Sequence, residues 1–390
     1  MQGLKSLQRC WRSRKMFRYE FKRLEDIVNN IDNKRKPLND QERRKITQYG
    51  LYPYCGANGI VDYVDEYLFD EEILCIAEDG SDWSFNKKCS YIMNEKCWVN
   101  NHAHVVTARK GIVLRYLYYY LNYSDLSSKI TGTTRGKMTK SALNSIEIPI
   151  PNYDIQKKLV DVLDKAQALI NQRKEQIQAC DDLIKSQFIE MFGDTITNEK
   201  GWSVRQLQEV GTWQSGGTPS RTKKEYFMGD IDWYSAGELN QLYLEESTEK
   251  ITQQAIQESS AKLFNKGSML VGMYDTAAFK MGILKKDSAS NQACANIMPN
   301  ASINIVWLYY NLLHMKKYFL SNRRGIRQKN LNLGMIKEFI IPVPPIELQD
   351  QFAQFVQQVD KLKFGMEQSL KELEANFDSL MQRAFKGELF

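Results

Sequence analysis

Two cysteines and two histidines in the first third of the chain have the side-chain chemistry of a metal site. Cys89, Cys97, His102 and His104 carry sulfur and imidazole ligands of the kind that zinc prefers. Their spacing matches none of the common structural zinc patterns. No pair of carboxylates and no Ser/His/Asp set stands out elsewhere. The sequence therefore predicts neither a metal site nor a hydrolytic centre.

A nucleotide cofactor is not expected either. The segment from Gly132 to Thr139 superficially resembles a phosphate-binding loop, but its glycine spacing is one residue short. Met138 also stands where the metal-binding hydroxyl of such a loop is required. The chain lacks the Asn/Asp-Pro-Pro-Tyr/Phe tetrapeptide of amino-methyltransferases and any glycine-rich turn suited to a nucleotide. We predict that the chain is not an enzyme and binds no cofactor of its own.

Basic side chains are grouped in three polar segments whose composition suits contact with DNA. Arginine, lysine, glutamine and asparagine on loops are the residue types that bind phosphates and base edges. Two of the segments stand just before the two longest predicted helices, and the third follows a Gly-Gly turn. Each could be no more than a solvated loop, but the equivalent placement of the first two favours a function. The predicted DNA-binding residues are Lys129, Arg135, Lys137, Lys140, Arg221, Lys223, Lys224, Arg323, Arg324, Arg327, Lys329 and Asn330.

Two long amphipathic helices, Asp154 to Phe192 and Glu347 to Phe385, must position these loops. Apolar or small residues recur in both at alternating spacings of three and four, which is typical of a coiled-coil seam. The predicted seam residues are Leu159, Val162, Ala166, Leu169, Ile177, Cys180, Ile184 and Met191 in the first helix, and Phe352, Phe355, Val359, Leu362, Met366, Leu370, Leu373, Phe377, Leu380 and Ala384 in the second.

Each helix follows the same punctuation, Ile148-Pro149-Ile150-Pro151 and Ile341-Pro342-Val343-Pro344. Proline is excluded from a helix interior and keeps the preceding residue extended, so the helices begin after these stretches. A helix of about 37 residues is roughly 55 Å long. Antiparallel pairing of the two helices is the simpler topology, because parallel pairing would force the chain to retrace the whole length. The two globular parts would then lie at opposite ends of a rod, related by a pseudo-twofold axis.

The sequence also repeats outside the helices. Leu68-Phe69 parallels Leu263-Phe264, the segment from Asn101 to His104 parallels that from Asn291 to Cys294, and Tyr116 to Leu121 parallels Trp307 to Leu312. These blocks occur in the same order in both halves, as expected for an internal duplication. The intervening segments read as short strands and turns and have diverged. Two related modules with different surfaces would recognise different targets in the same manner.

Composition limits the remaining possibilities. A chain of 390 residues with 43% hydrophobic and 26% charged residues suits at least two folded domains. The net charge of +6 permits an anionic partner. Seven cysteines without regular spacing indicate a reducing compartment, and we expect a cytoplasmic protein. The most apolar segment, Ile303 to Leu320, is interrupted by polar and charged residues, so no membrane span is predicted. Residues 1–16 read as a basic tail.

With modules, repeat and helices described, the chain resembles the specificity subunit of type I restriction–modification systems. The resemblance extends from about Phe21 to the end. It rests on the stretches Tyr52 to Gly59, Asp62 to Asp70, Trp98 to Val105, Ser215 to Ser220 and Ser260 to Phe264, together with both Ile-Pro-x-Pro openings. Gln156 and Gln349 fall near a glutamine that family members carry shortly after those prolines. One departure is Asn152 after Pro151, where the second copy has a double proline.

The resemblance implies an α+β fold with two β-rich globular target recognition domains, separated by two long helices that form an intramolecular antiparallel coiled coil. The implied boundaries are recognition domains at 17–150 and 195–343 and spacer helices at 151–194 and 344–390. Each recognition domain would read one half of an interrupted double-stranded DNA target. Two modification (methyltransferase) subunits would dock on the helices, joined by restriction (translocase/nuclease) subunits. S-adenosylmethionine would belong to those partners.

Three alternatives differ from this interpretation. A self-contained DNA methyltransferase or nuclease is disfavoured by the missing cofactor motifs, and a methylation assay on the lone chain would decide. A coiled-coil scaffold with two protein-binding modules would lack the steep salt dependence of a DNA-binding protein. An orphan specificity subunit serving another DNA methylation system differs only in its neighbouring genes. The bases recognised and the spacer length have no readable code in the sequence.

Overall fold

The structure, a computed structural model, describes residues 19–132, 135–321 and 331–390. These residues form two compact units. Unit 1 takes the described residues up to Lys174 together with Gln368–Phe390, and unit 2 is Glu175–Glu367. Among the helices in these ranges, none combines the length and apolar character that crossing a membrane requires. The basic tail predicted for residues 1–16 lies outside the described residues.

Unit 1 contains three antiparallel or mixed sheets with short helices between them. The sheets have the strand orders β2-β8-β5-β6, β4-β3-β7 and β1-β9, where the elements are β1 (Glu20–Arg23), β2 (Val28–Asn30), β3 (Tyr52–Gly56), β4 (Gly59–Val64), β5 (Ile73–Ala77), β6 (Ser90–Met93), β7 (Trp98–Val99), β8 (Ala103–Ala108), β9 (Glu147–Ile150), α1 (Leu24–Ile27), α2 (Asp40–Lys45), α3 (Leu114–Tyr123), α4 (Lys140–Asn144) and the long α5 (Tyr153–Phe192).

Unit 2 repeats this arrangement with additional strands. Its sheets have the orders β11-β19-β16-β17-β13, β14-β12-β18-β15 and β10-β20, formed by β10 (Ser203–Gln206), β11 (Gly211–Ser215), β12 (Ile231–Tyr234), β13 (Tyr243–Leu244), β14 (Glu249–Ile251), β15 (Leu263–Phe264), β16 (Met269–Gly272), β17 (Met281–Leu284), β18 (Ser288–Ser290), β19 (Cys294–Pro299) and β20 (Ile340–Val343), with α6 (Gln253–Glu258), α7 (Ile305–Ser321), α8 (Leu333–Glu338) and the long α9 (Ile346–Lys386).

The internal duplication predicted from the sequence is confirmed by strand pairing. The antiparallel run β2-β8-β5-β6 matches β11-β19-β16-β17, and the parallel pair of β3 and β7 matches that of β12 and β18. The bridge between Phe69 and Cys97 corresponds to the pairing of Phe264 with Ser288, as the Leu-Phe parallel predicted. Both units are therefore α+β, with β-rich globular parts joined to long helices.

One of the sequence parallels is offset by a residue. The amide of Asn100 donates to the carbonyl of Cys55 at 3.0 Å, and the amide of Asn291 donates to that of Tyr234 at the same distance. Asn100 therefore corresponds to Asn291, and His102 corresponds to Ala293 rather than to Gln292. The side-chain oxygens of Asn100 and Asn291 each accept from the amide two residues on, which an Asn at a turn commonly does.

The Ile-Pro-x-Pro stretches form the strands β9 and β20, which pair antiparallel with β1 and β10. Each long helix begins shortly after its stretch, at Tyr153 and at Ile346. The prolines cannot lie in a helix interior, so the helix starts only after them. One buried glutamine in the first turn of each helix then ties the helix to the preceding globular part. Gln156 accepts from the amide of Val113 at 2.9 Å, and Gln349 accepts from the amide of Asn304 at 2.9 Å.

The two long helices pair antiparallel, as predicted. In unit 2 the rings of Phe188 and Phe352 lie 5.5 Å apart and Lys363 donates to Asp181 at 2.6 Å. Advancing along α5 thus means moving back along α9. In unit 1 the C-terminal part of α9 shares a core with the first turns of α5, and Lys174 pairs with Glu374 at 2.8 Å.

The predicted seam needs correction at three positions. Leu163 and Ile170 are buried in α5, whereas Leu169 is 53% exposed and Val162 is only half-buried. Leu362 in α9 is 62% exposed, and the ion pair of Lys363 with Asp181 takes its place. Along a polar stretch, a pattern of alternating spacings of three and four can be continued on more than one face of the helix. The sequence pattern alone therefore did not determine which residues are buried. The partner surfaces decide it.

Aromatic side chains join each globular part to its helices. In unit 1, Phe385 of α9 lies 5.5 Å from the ring of Tyr116, 5.2 Å from that of Tyr120 and 5.8 Å from that of Tyr123. In unit 2, Phe192 and Phe352 pack edge to face at 5.5 Å within the core around Trp307. Large aromatic contacts of this kind dominate the packing energy of a small core. They fix α3 and α7 against the long helices.

Candidate nucleic-acid interface

The first predicted basic loop returns to the end of a buried strand in unit 1. Thr131 and Lys137 form an antiparallel bridge, and Lys137 forms a second bridge with Asp79, just after β5. The amide of Met138 donates to the carbonyl of Glu78 at 2.7 Å. Thr139 then caps α4 by accepting from the amide of Ala142. A buried strand, a hydrogen-bonded loop base and a capped helix therefore hold the loop at both ends.

Unit 2 repeats the hydrogen bond and the helix cap that follow this loop. The amide of Leu331 donates to the carbonyl of Met273, just after β16, at 2.9 Å, and Asn332 caps α8. The five DNA-binding residues predicted in the second loop, Arg323, Arg324, Arg327, Lys329 and Asn330, lie outside the described residues.

In the first loop, two of the four predicted basic residues are held by acidic residues at the end of β5. Nη2 of Arg135 donates to Oδ1 of Asp79 at 2.8 Å, and Nζ of Lys137 pairs with Oε1 of Glu78 at 3.0 Å. Lys129 instead donates to the hydroxyl of Ser145 at 2.8 Å, so its ammonium makes a contact within unit 1. Lys140 is exposed. Arg135 and Lys137 thus bind neighbouring carboxylates at the end of β5, whereas Lys129 binds Ser145.

A largely buried charge network supports this pair from below. Arg35 donates to Glu78 at 2.8 Å and lies 3.4 Å from Asp32, and Nδ1 of His104 lies 2.7 Å from Asp32. Burial alone would raise the pKa of Asp32, but hydrogen bonds from His104, Val105 and Asn30 outweigh it and lower that pKa. Burial is likewise outweighed at Glu78, whose pKa is lowered by Arg35 and Lys137.

Beside the loop lies an open cleft of about 570 Å³. His102, Asn101 and Arg43 line it together with Tyr54 and Val61. Imidazole, amide and guanidinium groups at a cleft edge are able to bind base edges and phosphates. Arg43 also pairs with Asp62 at 2.8 Å, which holds α2 against β4.

In unit 2 the third predicted segment is held by local contacts. Arg221 forms two hydrogen bonds with Glu249, at 2.5 and 2.8 Å, and its guanidinium lies 5.1 Å from the ring of Trp233. Lys223 donates to the hydroxyl of Tyr226 at 2.5 Å. Lys224 is exposed. Thr218, in the Ser-Gly-Gly-Thr turn, donates to Gln292 of the loop before β19. This turn and the loop before β19 therefore lie together at one edge of the unit.

Three of the four residues considered for zinc have other hydrogen-bond partners. The thiol of Cys89 donates to the carbonyl of Leu121, His102 binds Asp79 and His104 binds Asp32. Within residues 19–132, 135–321 and 331–390, no group of three or more His, Cys, Asp and Glu side chains is arranged to hold a metal ion.

Sequence reasoning did not single out Asp79, Arg35 or Arg43, and it considered His102 only as a metal ligand. Asp79 and Arg135 are distant in the sequence, and their pairing depends on the return of the loop to β5. The signal that was available is the run Glu78-Asp79-Gly80 directly after a buried strand, where carboxylates are well placed to hold a basic loop.

Comparison with known proteins agrees with this architecture. A family model described as the type I restriction modification DNA specificity domain matches residues 17–179 and again residues 199–375. A Haemophilus influenzae relative, S.HindORF215P, is 38% identical over 153 residues, which are 39% of this chain but only 38% of that relative. The specificity subunit of Escherichia coli EcoR124I/EcoR124II is 27% identical over 283 residues, 67% of each chain.

Among solved structures, the S subunit of a type I restriction–modification system from M. genitalium is similar in fold. Its TM-score is 0.58 at 15% identity, and the match covers 95% of this chain and 96% of that one. The two family matches correspond to the two structural repeats, each with its β-rich sheets and much of a long helix. The chain belongs to the type I restriction–modification DNA specificity family, whose members are the non-catalytic subunits that recognise the DNA sequence.

Proposed function

We propose that this chain recognises an interrupted double-stranded DNA target, one half with each of two recognition domains at 17–150 and 195–343. The observation that carries the proposal is the repeat in hydrogen-bond detail. Met138 and Leu331 anchor the end of the basic loop in the same way, and Gln156 and Gln349 lock the following helix in the same way. Because the two surfaces have diverged while their supports have not, each domain reads a different half-site.

The long helices act as the spacer between half-sites and as the docking surface for two methyltransferase subunits, with restriction subunits added to that complex. S-adenosylmethionine is then bound by the methyltransferase subunits. Helix α5 has 40 residues and α9 has 41, so each is about 60 Å long at 1.5 Å per residue. Such a length suits a ruler along DNA. Because the partner is DNA, we expect the complex to act in the cytoplasm.

The test uses the chain purified with its modification subunits. Methylome mapping of cells that carry both gives the target, and binding is then measured on duplexes with either half-site scrambled. Alanine at Arg135 or Lys137 should weaken the contact with one half-site only, and alanine at Arg324, Arg327 or Lys329 should weaken the contact with the other. Equal binding to intact and scrambled targets would contradict the proposal.

Salt dependence separates this function from that of a protein-binding scaffold. Each phosphate contact made by a lysine or arginine releases counterions, so the affinity of a DNA-binding protein falls steeply between 50 and 200 mM salt, by about 1000-fold or more for six contacts. A scaffold whose modules bind proteins would retain its partners over that range. If the complex binds the mapped target with no such slope, DNA recognition by this chain is refuted.

A further inference from the structure

Among the described residues of unit 1, Arg135 is the most exposed ion-paired arginine, and it is held in one orientation. Its side chain is 66% exposed, yet Nη2 donates to Asp79, a carboxylate only 16% exposed. The guanidinium also lies over Gly80, where an added Cβ would stand 3.2 Å from Nη2. Gly80 has φ of +65°, a conformation that suits glycine. The turn therefore holds the arginine by its hydrogen bond to Asp79 and by the close approach of Gly80.

The hydrogen bond to Asp79 leaves other donors of the guanidinium available to bind a ligand. One nitrogen binds Asp79, and among contacts within the described residues Nε and Nη1 have no partner. A guanidinium carries five N–H donors in a rigid plane, and its parallel pairs are formed by Nη2 with either Nε or Nη1. Nη2 has two hydrogens and Asp79 uses one, so one edge keeps a parallel pair of donors. Fixing the fork in advance lowers the conformational entropy that is lost when it binds.

The same carboxylate orients His102. Nδ1 of the ring lies 2.9 Å from Oδ2 and 3.0 Å from Oδ1 of Asp79, so Nε2 points to the opposite side of the ring. The side chain of His102 is 43% exposed and lines the cleft next to Asn101. Asp79 thus places two polar groups, the fork of Arg135 and the imidazole of His102, side by side.

Asp79 also makes Arg135 a poor site for phosphate. A carboxylate 2.8 Å from the guanidinium cancels much of its charge and repels a second anion. Lys137 differs, because its ammonium is a compact point charge without a planar fork. Its partner Glu78 is shared with Arg35 and lies 3.8 Å from His104, so that carboxylate is already balanced by other groups.

From this arrangement we infer that Arg135, positioned by Asp79, reads a guanine in the half-site of the first recognition domain, while Lys137 binds the phosphate backbone. Guanine is the base whose major-groove edge offers two neighbouring acceptors, O6 and N7, to a pair of parallel donors. Adenine offers one acceptor and one donor there, and thymine a single acceptor. The inference rests on the proposed DNA-binding function and adds a base identity and a positioning residue to it.

The experiment measures binding by the chain complexed with its modification subunits to the mapped target and to every single-base-pair substitution in it. For the wild type, replacing the guanine read by Arg135 should weaken binding on the order of 10- to 100-fold. Arg135→Lys keeps the charge but removes the fork, and the same replacement should then cost less than about 3-fold. Every other position, including the whole second half-site, should keep its wild-type penalty.

Three further variants distinguish recognition of a base from electrostatic binding to the phosphate backbone. Asp79→Asn should reduce discrimination at the same guanine and strengthen binding to unrelated DNA, a change that a purely structural role would not produce. Lys137→Ala should weaken binding to all sequences alike and lower the slope of log affinity against log salt by about one. Lys87→Ala is the matched control, because Lys87 is exposed on the loop where Asn86 binds Asp378 of α9, and it should change neither quantity.

The outcomes distinguish this inference from the function beneath it. If the wild-type complex shows no sequence preference, the proposed function fails and the guanine inference fails with it. If the wild type is specific but Arg135→Lys leaves the penalty at every G·C pair of that half-site unchanged, only the guanine inference is overturned. Uniform weakening across all sequences by Arg135→Lys would make Arg135 a phosphate contact and would also overturn it.

Discussion

Replacing Gln349 with methionine should loosen the junction between α7 and α9. The glutamine is completely buried. Its Oε1 accepts from the amide of Asn304 at 2.9 Å, and its Nε2 donates to the carbonyl of Ser302 at 3.2 Å and to that of Pro344 at 2.8 Å. Methionine has a similar length and fills the same space, but it forms none of these bonds.

The magnitude follows from the three backbone groups that lose their partner. A typical hydrogen bond contributes about 1 kcal/mol net, and a buried group left unpaired costs about 1–3 kcal/mol. Partial relaxation and water entry reduce the upper figure, so the loss is about 3 kcal/mol in total. At about 1.4 kcal/mol per factor of ten, local opening of this junction should become roughly 150-fold more frequent.

The assay is native-state hydrogen exchange of the full chain, with the amide of Asn304 as the reporter. Gln156→Met is the matched variant in unit 1, where it removes the same bonds to Val113, Gly111 and Pro151. It should accelerate exchange of the Val113 amide and leave that of Asn304 unchanged. Acceleration of Asn304 by less than about 5-fold in Gln349→Met would refute the reasoning, because it would mean that the buried amide contributes less than about 1 kcal/mol.

Other predictions concern charge and helix length. The lowered pKa of Asp32 means that its carboxylate stabilises the folded state above its unfolded pKa near 3.9, and that this stability is lost as the pH falls through the lower folded value. The difference in urea stability between wild type and Asp32→Asn should therefore shrink from pH 6 to pH 3, and a constant difference would contradict this. Burial, aided by nearby acidic groups, raises the pKa of Asp360, so its ionisation destabilises unit 2 as the pH rises. Asp360→Asn should thus be more stable than wild type in urea at pH 7 and equal to it near pH 3, and a less stable variant at pH 7 would show that the carboxylate is favourable. Inserting one heptad after Lys174 and another after Glu367 keeps the seam in phase and lengthens each helix by about 10 Å. The spacer of the mapped target should then grow by about three base pairs, and an unchanged spacer would refute the ruler role.

The features that the sequence predicted well are those with a local physical cause. The long helices were predicted from Asp154 to Phe192 and from Glu347 to Phe385, and they span Tyr153–Phe192 and Ile346–Lys386. Heptad spacing and preceding prolines determine such boundaries within a few residues of chain. The duplication was legible because both halves keep the same order of short blocks.

Features that depend on the meeting of distant segments were missed or displaced. The seam shifted by one residue at Leu163 and Ile170, because the facing helix decides which side of α5 is buried. The histidine segment was aligned one residue out of register, and only the hydrogen bonds of Asn100 and Asn291 show the correspondence. Arg221 was predicted to contact DNA, but nothing in the sequence indicated its two hydrogen bonds to Glu249.

The sequence by itself determined the two repeats and the two long helices, because each is encoded in spacing along the chain. Its motifs carry the resemblance that implies the family and the α+β class. The tertiary structure decided how the basic residues are used. Arg135 acquires a fixed orientation only when the loop returns to β5 and meets Asp79, and His102 joins it only because β8 lies beside β5. Spacing along a chain encodes which face of a helix or strand is apolar, whereas the position of a charge next to another depends on how the elements pack.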